Sequence, residues 1–146
     1  MPDGSPMTEA QIAPPTKPGE WSIAQIEYAL SRPLPGSMLK MKKRMNRKTG
    51  QATELPFIPW HTANKILSKY APGWSGRVVS IAQVGSELVL TYALVIPTAD
   101  GDVERQATGT EEIDHQGFGE SCTNAESQAF RRCCARFGLG LYLYSK

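Results

Sequence analysis

The run Glu87-Leu88-Val89-Leu90-Thr91-Tyr92-Ala93-Leu94-Val95-Ile96 decides the fold class. Its apolar residues repeat with a period of two: Leu88, Leu90, Tyr92, Leu94 and Ile96 on one face, Val89, Ala93 and Val95 on the other. That is the pattern of a strand covered on both sides. Two-residue turn signals bound it, Gly85-Ser86 before and Asp100-Gly101 after, and each leads to a further strand-like run. One begins after Trp74; the other, Asp102 to Thr108, is more polar and is expected at an edge. Three such runs predict an antiparallel β-meander.

Outward from the meander the period changes to that of a helix. Upstream, Trp60 to Tyr70 places Ala63, Ile66, Leu67 and Tyr70 at helical spacing and stops at Pro72-Gly73. Further back, Trp21 to Ser31 opens on a capping box, Ser22 with Gln25, aligns Ile23, Ile26 and Leu30, and ends before Pro33. Downstream, Glu111 to Glu120 reads as a polar loop. Thr123 and Glu126 form a second capping box, predicting a helix to about Phe137 with Gly138 as its C′ residue. On that last helix Cys122, Ala125, Ala129, Cys133 and Phe137 share a packing face whose small residues let the backbone lie close to a sheet. Asn124, Gln128, Arg132 and Arg136 repeat at i+4 on another face, and Arg131 sits at its border. The expected class is therefore α+β, a β-β-β-α core packed by helices.

A chain of 146 residues suits one domain with a real core. We expect residues 20–146 to form it, behind a disordered, proline-rich leader, 1–19. That leader lacks the basic and apolar regions of a signal peptide. Nor does any apolar run approach the roughly 20 residues needed to cross a bilayer. Cytoplasmic residence is the expectation. Cys122, Cys133 and Cys134 lack C-x-x-C spacing and read as packing residues, and His61 and His115 lie in different elements, so no metal is expected.

Charge is unevenly spread. From Arg32 to Thr53 there are seven Lys or Arg and no acid, whereas Arg77 to Glu126 holds nine acids against two bases. The basic density peaks at Lys40, Lys42, Lys43, Arg44, Arg47 and Lys48, which we place on an exposed loop or flexible hairpin tip before the extended Glu54 to Pro59 segment. Such a cluster neutralises phosphates whatever the base sequence, though a solvated surface loop has the same composition. A second basic element, Arg131, Arg132 and Arg136, favours a shared groove for a polyanion; salt bridging to Glu126 or the acidic loop is its alternative. Among the aromatic residues, Trp74, Tyr92, Phe130 and Phe137 occupy core-like positions, and Phe57 is the candidate for stacking on a base. No Walker, nucleophile-elbow or H-E-x-x-H motif is present, so no enzyme and no cofactor are expected. Glu111, Glu112, Asp114 and His115 are the one carboxylate-rich group with a histidine; a turn-rich acidic loop explains them without a metal.

The tail from Ala125 through Arg131-Arg132 to Phe137-Gly138-Leu139-Gly140 and Tyr144 closely resembles the signature helix of the Rad52/DdrA-type single-strand annealing proteins. Phe57-Ile58-Pro59-Trp60 before a helix and Gly73-Trp74 before the meander are similar to the same family's pattern. The resemblance implies a ring-like homo-oligomer whose groove holds single-stranded DNA by its backbone, and ATP-independent annealing of complementary strands in repair and recombination. It places Arg131 and Arg132 at the paired phosphate-gripping positions, and Lys42 nearest the upstream basic contact, with Lys40, Lys43 and Arg44 as equals. It departs at Ala135, where eukaryotic members have a further basic residue, and near Ala99 and Asp100, where an outer-site lysine is missing. In a bacterium the resemblance implies a place at the nucleoid. Rival readings are protection of single strands or DNA ends without annealing, a metal-dependent nuclease, and a plain interaction domain for an acidic protein.

Overall fold

A computed structural model describes residues 13–45, 48–113 and 118–144. Its order is α1 (Ile23–Leu30), a 3-10 turn (Gly36–Met38), β1 (Lys40–Met45), β2 (Ala52–Phe57), α2 (Trp60–Tyr70), β3 (Ser75–Val84), β4 (Glu87–Thr98), β5 (Gly101–Glu112), α3 (Phe118–Arg136) and a 3-10 turn (Leu141–Tyr144). β3, β4 and β5 form an antiparallel sheet in that order, and β1 with β2 forms a separate two-stranded ribbon. The class is α+β, with the meander where its alternation put it.

β4 is the spine of the core. Leu88, Leu90, Leu94 and Ile96 are fully buried in the core on which α3 packs, each removal from water contributing about 1.5–3 kcal/mol. The opposite face is less covered than its apolar composition suggests: Val89 and Val95 remain half-buried, and of the three only Ala93 is sealed. Across that face Arg77 on β3 reaches Glu104 on β5 at 3.2 Å, spanning β4.

α1 opens as its sequence requires: the Ser22 hydroxyl accepts the Gln25 N–H at 3.2 Å, and the Gln25 side chain accepts the Ser22 N–H at 2.8 Å. α3 closes on a Schellman motif, with Leu139 N–H donating to the Cys134 carbonyl at 3.0 Å, Gly138 N–H to Ala135 at 2.9 Å, and Gly138 at φ +107°. Its start differs from expectation. The helix begins at Phe118, so Thr123 and Glu126 lie in its interior and do not cap it. Ser121, buried, donates its hydroxyl to the Glu112 carbonyl at 2.9 Å and ties the first turns to the end of β5.

Two further expectations change. The basic run is not a loop: Lys40–Met45 is a strand whose partners run from Lys40 opposite Phe57 to Met45 opposite Ala52. A ribbon exposed on both faces needs no apolar alternation, so the sequence gives no strand signal there. Likewise Glu111 and Glu112 belong to β5, paired with Leu88 and Glu87, not to a polar loop. Of the expected leader, residues 13–19 are described, with Pro15 buried and Pro18 beside Gly73.

α3 packs unusually close to β5. A methyl group at Gly109 would overlap the carbonyl oxygen of Ala125 and come within 2.8 Å of the Ala129 nitrogen. The small residues of the helix, Ala125 and Ala129, both fully buried, and the glycine of the strand together set this approach.

Candidate nucleic-acid interface

With Ala125, Ala129, Cys133 and Phe137 buried against the sheet, the neighbouring stripe of α3 turns Gln128, Arg131 and Arg132 toward a cleft. β5 braces that stripe. The Gln128 side chain accepts the Thr110 N–H at 2.7 Å, and Arg132 Nη1 donates to the Thr108 carbonyl at 3.1 Å. The ribbon supplies the opposite wall. Directly paired residues in an antiparallel ribbon share a face, so Lys42 with Leu55 and Lys40 with Phe57 lie on one side, and Lys43 with Glu54 on the other.

These elements enclose about 560 Å³, lined by Lys42, Phe57, Gln128, Arg131, Arg132 and Tyr144 together with apolar residues, and among the described residues no Asp or Glu lines it. The Arg131 guanidinium lies 5.1 Å from the centre of the Phe57 ring, a cation–π arrangement that holds it half-buried. Burial pulls its pKa below the ordinary arginine value, with Tyr144 opposing and Arg132 adding to the shift. A guanidinium still carries its charge at any physiological pH. Two adjacent cations, one of them partly desolvated, thus meet in a cleft to which the described residues bring no carboxylate. Among the described residues neither forms an ion pair, whereas Arg105 is bound to Glu27 at 2.7 Å. An anionic ligand is what this field favours.

The other basic positions distribute around this centre. Lys40 and Lys43 are exposed on opposite faces of β1, and neither lines the cleft. Arg44 lies in β1, but its side chain is outside what is described, and Arg47 lies outside the described residues altogether. Lys48 is exposed in the turn between the two strands, away from the cleft. Arg136 faces an adjacent, wider opening of about 780 Å³ that also receives Arg105, Arg132 and Tyr144. Because Arg132 and Tyr144 line both spaces, a single basic path runs from Lys42 past the arginine pair to Arg136.

Gln128 and Tyr144 were not among the sequence candidates. The i+4 stripe contained the first. Tyr144, 58% exposed at the junction of the two openings, had its signal in the aromatic end that follows Phe137-Gly138. The acidic group does not assemble on the described residues: Glu111 and Glu112 are consecutive on β5 and so project to opposite faces, while Asp114 and His115 lie outside the description. Cys133 and Cys134 are buried packing residues; burial pushes the Cys133 thiol up to about 11 and Cys134 higher still. Thiols so placed are poor nucleophiles at neutral pH.

No family model matches the chain. Two curated proteins of Arabidopsis thaliana do. DNA repair RAD52-like protein 1, mitochondrial, is 34% identical over 139 residues, 94% of this chain and 76% of the relative. DNA repair RAD52-like protein 2, chloroplastic, is 40% identical over 123 residues, 84% of this chain and 60% of the relative. The chain thus spans less than two thirds of the second. Their names overturn the cytoplasmic placement expected above, since both are assigned to organelles. That expectation rested on the lack of a secretory signal and of a bilayer-spanning run, properties that do not distinguish the cytosol from an organelle's interior. With identity above three residues in ten over 76% of the first relative's length, the chain belongs to the RAD52-like DNA repair protein family.

Proposed function

We propose that this chain acts in DNA repair by binding single-stranded DNA along the basic cleft and annealing complementary strands without ATP. The observation that carries the reading is the convergence of Lys42 from the ribbon with Arg131 and Arg132 from α3 in one cleft that no described carboxylate lines. The names of the two relatives support the repair setting.

The mechanism is physical. The cations neutralise successive phosphates and release their counterions, a contribution indifferent to base sequence. Phe57, partly covered by Arg131, and exposed Tyr144 offer ring surfaces at the edge of the backbone path, each stacking contact worth about 1–3 kcal/mol per base. A strand held by its backbone stays extended, and its base edges sample a partner without first melting hairpins. No bond is made or broken, so the reading requires neither nucleotide nor metal.

Self-association into a ring extends the groove from one copy to the next. The support is β3, an outer strand exposed along its whole length that presents Val79, Ile81 and Val84 at 45%, 47% and 65% exposure. Apolar residues on an unpaired edge are a surface for another copy.

The test is the annealing rate of complementary oligonucleotides with and without protein, in the absence of ATP, alongside the particle mass with and without a single strand. Acceleration by a multimeric particle is expected. Binding that slows pairing would leave a protective role only, and magnesium-dependent cleavage would replace the reading with a nuclease.

A further inference from the structure

A second cleft, of about 590 Å³, lies beside α2 on the face turned away from Trp60. Its floor is apolar, built from Leu30 at the end of α1, Leu34 in the segment that follows, and Ile66 of α2. Its rim carries Arg32, Lys65 and Lys69, and among the described residues no Asp or Glu lines it. On the helical period Thr62, Lys65, Ile66 and Lys69 fall on one face of α2, so the helix itself sets two cations beside an apolar residue. Lys69 also suits the last turn of α2, and the Arg32 Nε donates to the Ala29 carbonyl at 3.0 Å in the last turn of α1, so both cations are held at helix ends on the rim; Lys65 stands in mid-helix.

At the base stands Tyr70, 3% exposed and stacked on Trp21, with the Arg32 guanidinium 5.1 Å and the Lys69 ammonium 5.4 Å from its ring centre. Its hydroxyl is buried and has no hydrogen-bond partner among the described residues. Buried hydroxyls are nearly always satisfied, so this one marks a polar point for which the described residues supply no partner.

These features restrict the ligand. A nucleic acid would answer the cations, but the floor is aliphatic and the one aromatic ring in the lining, Tyr70, is buried, so a base finds no stacking platform of the kind Phe57 and Tyr144 offer in the other cleft. A neutral apolar segment would cover the floor but not the charges. We propose that this cleft docks an acidic peptide segment of a partner protein, its aliphatic or aromatic side chains on the floor and its carboxylates against Arg32, Lys65 and Lys69. The lining it shares with the DNA cleft is the buried Leu139, so strand and peptide are held at the same time. The inference does not depend on the annealing reading.

The experiment uses the whole chain and a short fluorescein-labelled peptide alternating Asp or Glu with Leu or Phe, followed by anisotropy. Saturable binding is expected. It weakens on the order of tenfold or more in Lys65→Glu with Lys69→Glu, and likewise when the peptide's apolar residues become serine. It is retained in Arg131→Ala with Arg132→Ala and in excess oligothymidylate. Lys65→Gln with Lys69→Gln serves as the milder pair should charge reversal disturb folding. No saturable binding, or equal binding of the serine peptide, overturns the proposal. Displacement by oligothymidylate overturns it in favour of nucleic acid, and loss of particle mass in the lysine variants overturns it in favour of a second copy of the chain.

Discussion

The ribbon β1–β2 and the meander β3–β5 are both antiparallel, yet they are held in place by different physics. In the meander, register is fixed by burial, because a one-residue slip of β4 would turn Leu88, Leu90, Leu94 and Ile96 to the outer face. In the ribbon, every β1 side chain described is exposed, and pairing is anchored at one end only, where Phe57 and Ile58 enter the body. The basic cleft lies between these two regimes: its arginines stand on the rigid part and its lysine on the compliant one. Stability and ligand binding should therefore respond to different substitutions.

The largest expected effect breaks the rigid side. Gly109→Ala forces a methyl into the Ala125 carbonyl and should cost about 3 kcal/mol, read as a lower urea midpoint at unchanged slope. Next, Arg131→Ala with Arg132→Ala should abolish annealing and lower the logarithmic salt dependence of single-strand binding by about 1.4, two contacts at roughly 0.7 each. Stability should fall only by about 1 kcal/mol, mainly the lost contact with Phe57. An unchanged salt slope would remove the pair from the path.

The comparison sharpens within the ribbon. Lys42→Ala should reduce the slope by about 0.7, whereas Lys43→Ala, on the other face opposite Glu54, should leave it unaltered. Both should keep stability within about 0.5 kcal/mol. Equal losses from the two would mean that the ribbon twists its other face into the path on binding.

The smallest effect is one of pH and belongs to the body alone. Burial raises the Cys133 thiol to about 11, so above the ordinary thiol range the unfolded chain loses a proton that the folded chain keeps. Stability contributed by this site is complete at lower pH and declines as pH rises toward that value. Cys133→Ala should flatten the decline in urea titrations at successive pH values.

How far the sequence could be read follows the same division. Where a face is buried, spacing alone located the elements: β4, α2, the Ser22–Gln25 box and the Gly138 terminus all lie where periodicity and capping chemistry place them. The strand character of Lys40–Met45 was illegible because an exposed ribbon has no hydrophobic alternation to display. The early start of α3 was hidden for a related reason. A plausible capping pair, Thr123 and Glu126, stands in the helix interior, and the tie that holds the first turns, Ser121 to Glu112, joins separate elements. Within the site, the arginine pair was legible from its stripe and from the family resemblance. The support Arg132 takes from Thr108, and Gln128 from Thr110, required the strand and helix to be seen together.

Gly109 leaves no spacer between strand and helix, so α3 and β5 behave as one plank and the arginine pair inherits the sheet's geometry. Were copies to join side by side as proposed, the interval from one pair to the next would be dictated by the width of a protomer and by no loop. Such an array is a ruler: it would meter nucleotides per subunit at a constant pitch, leaving the ribbons to absorb local irregularities of the strand.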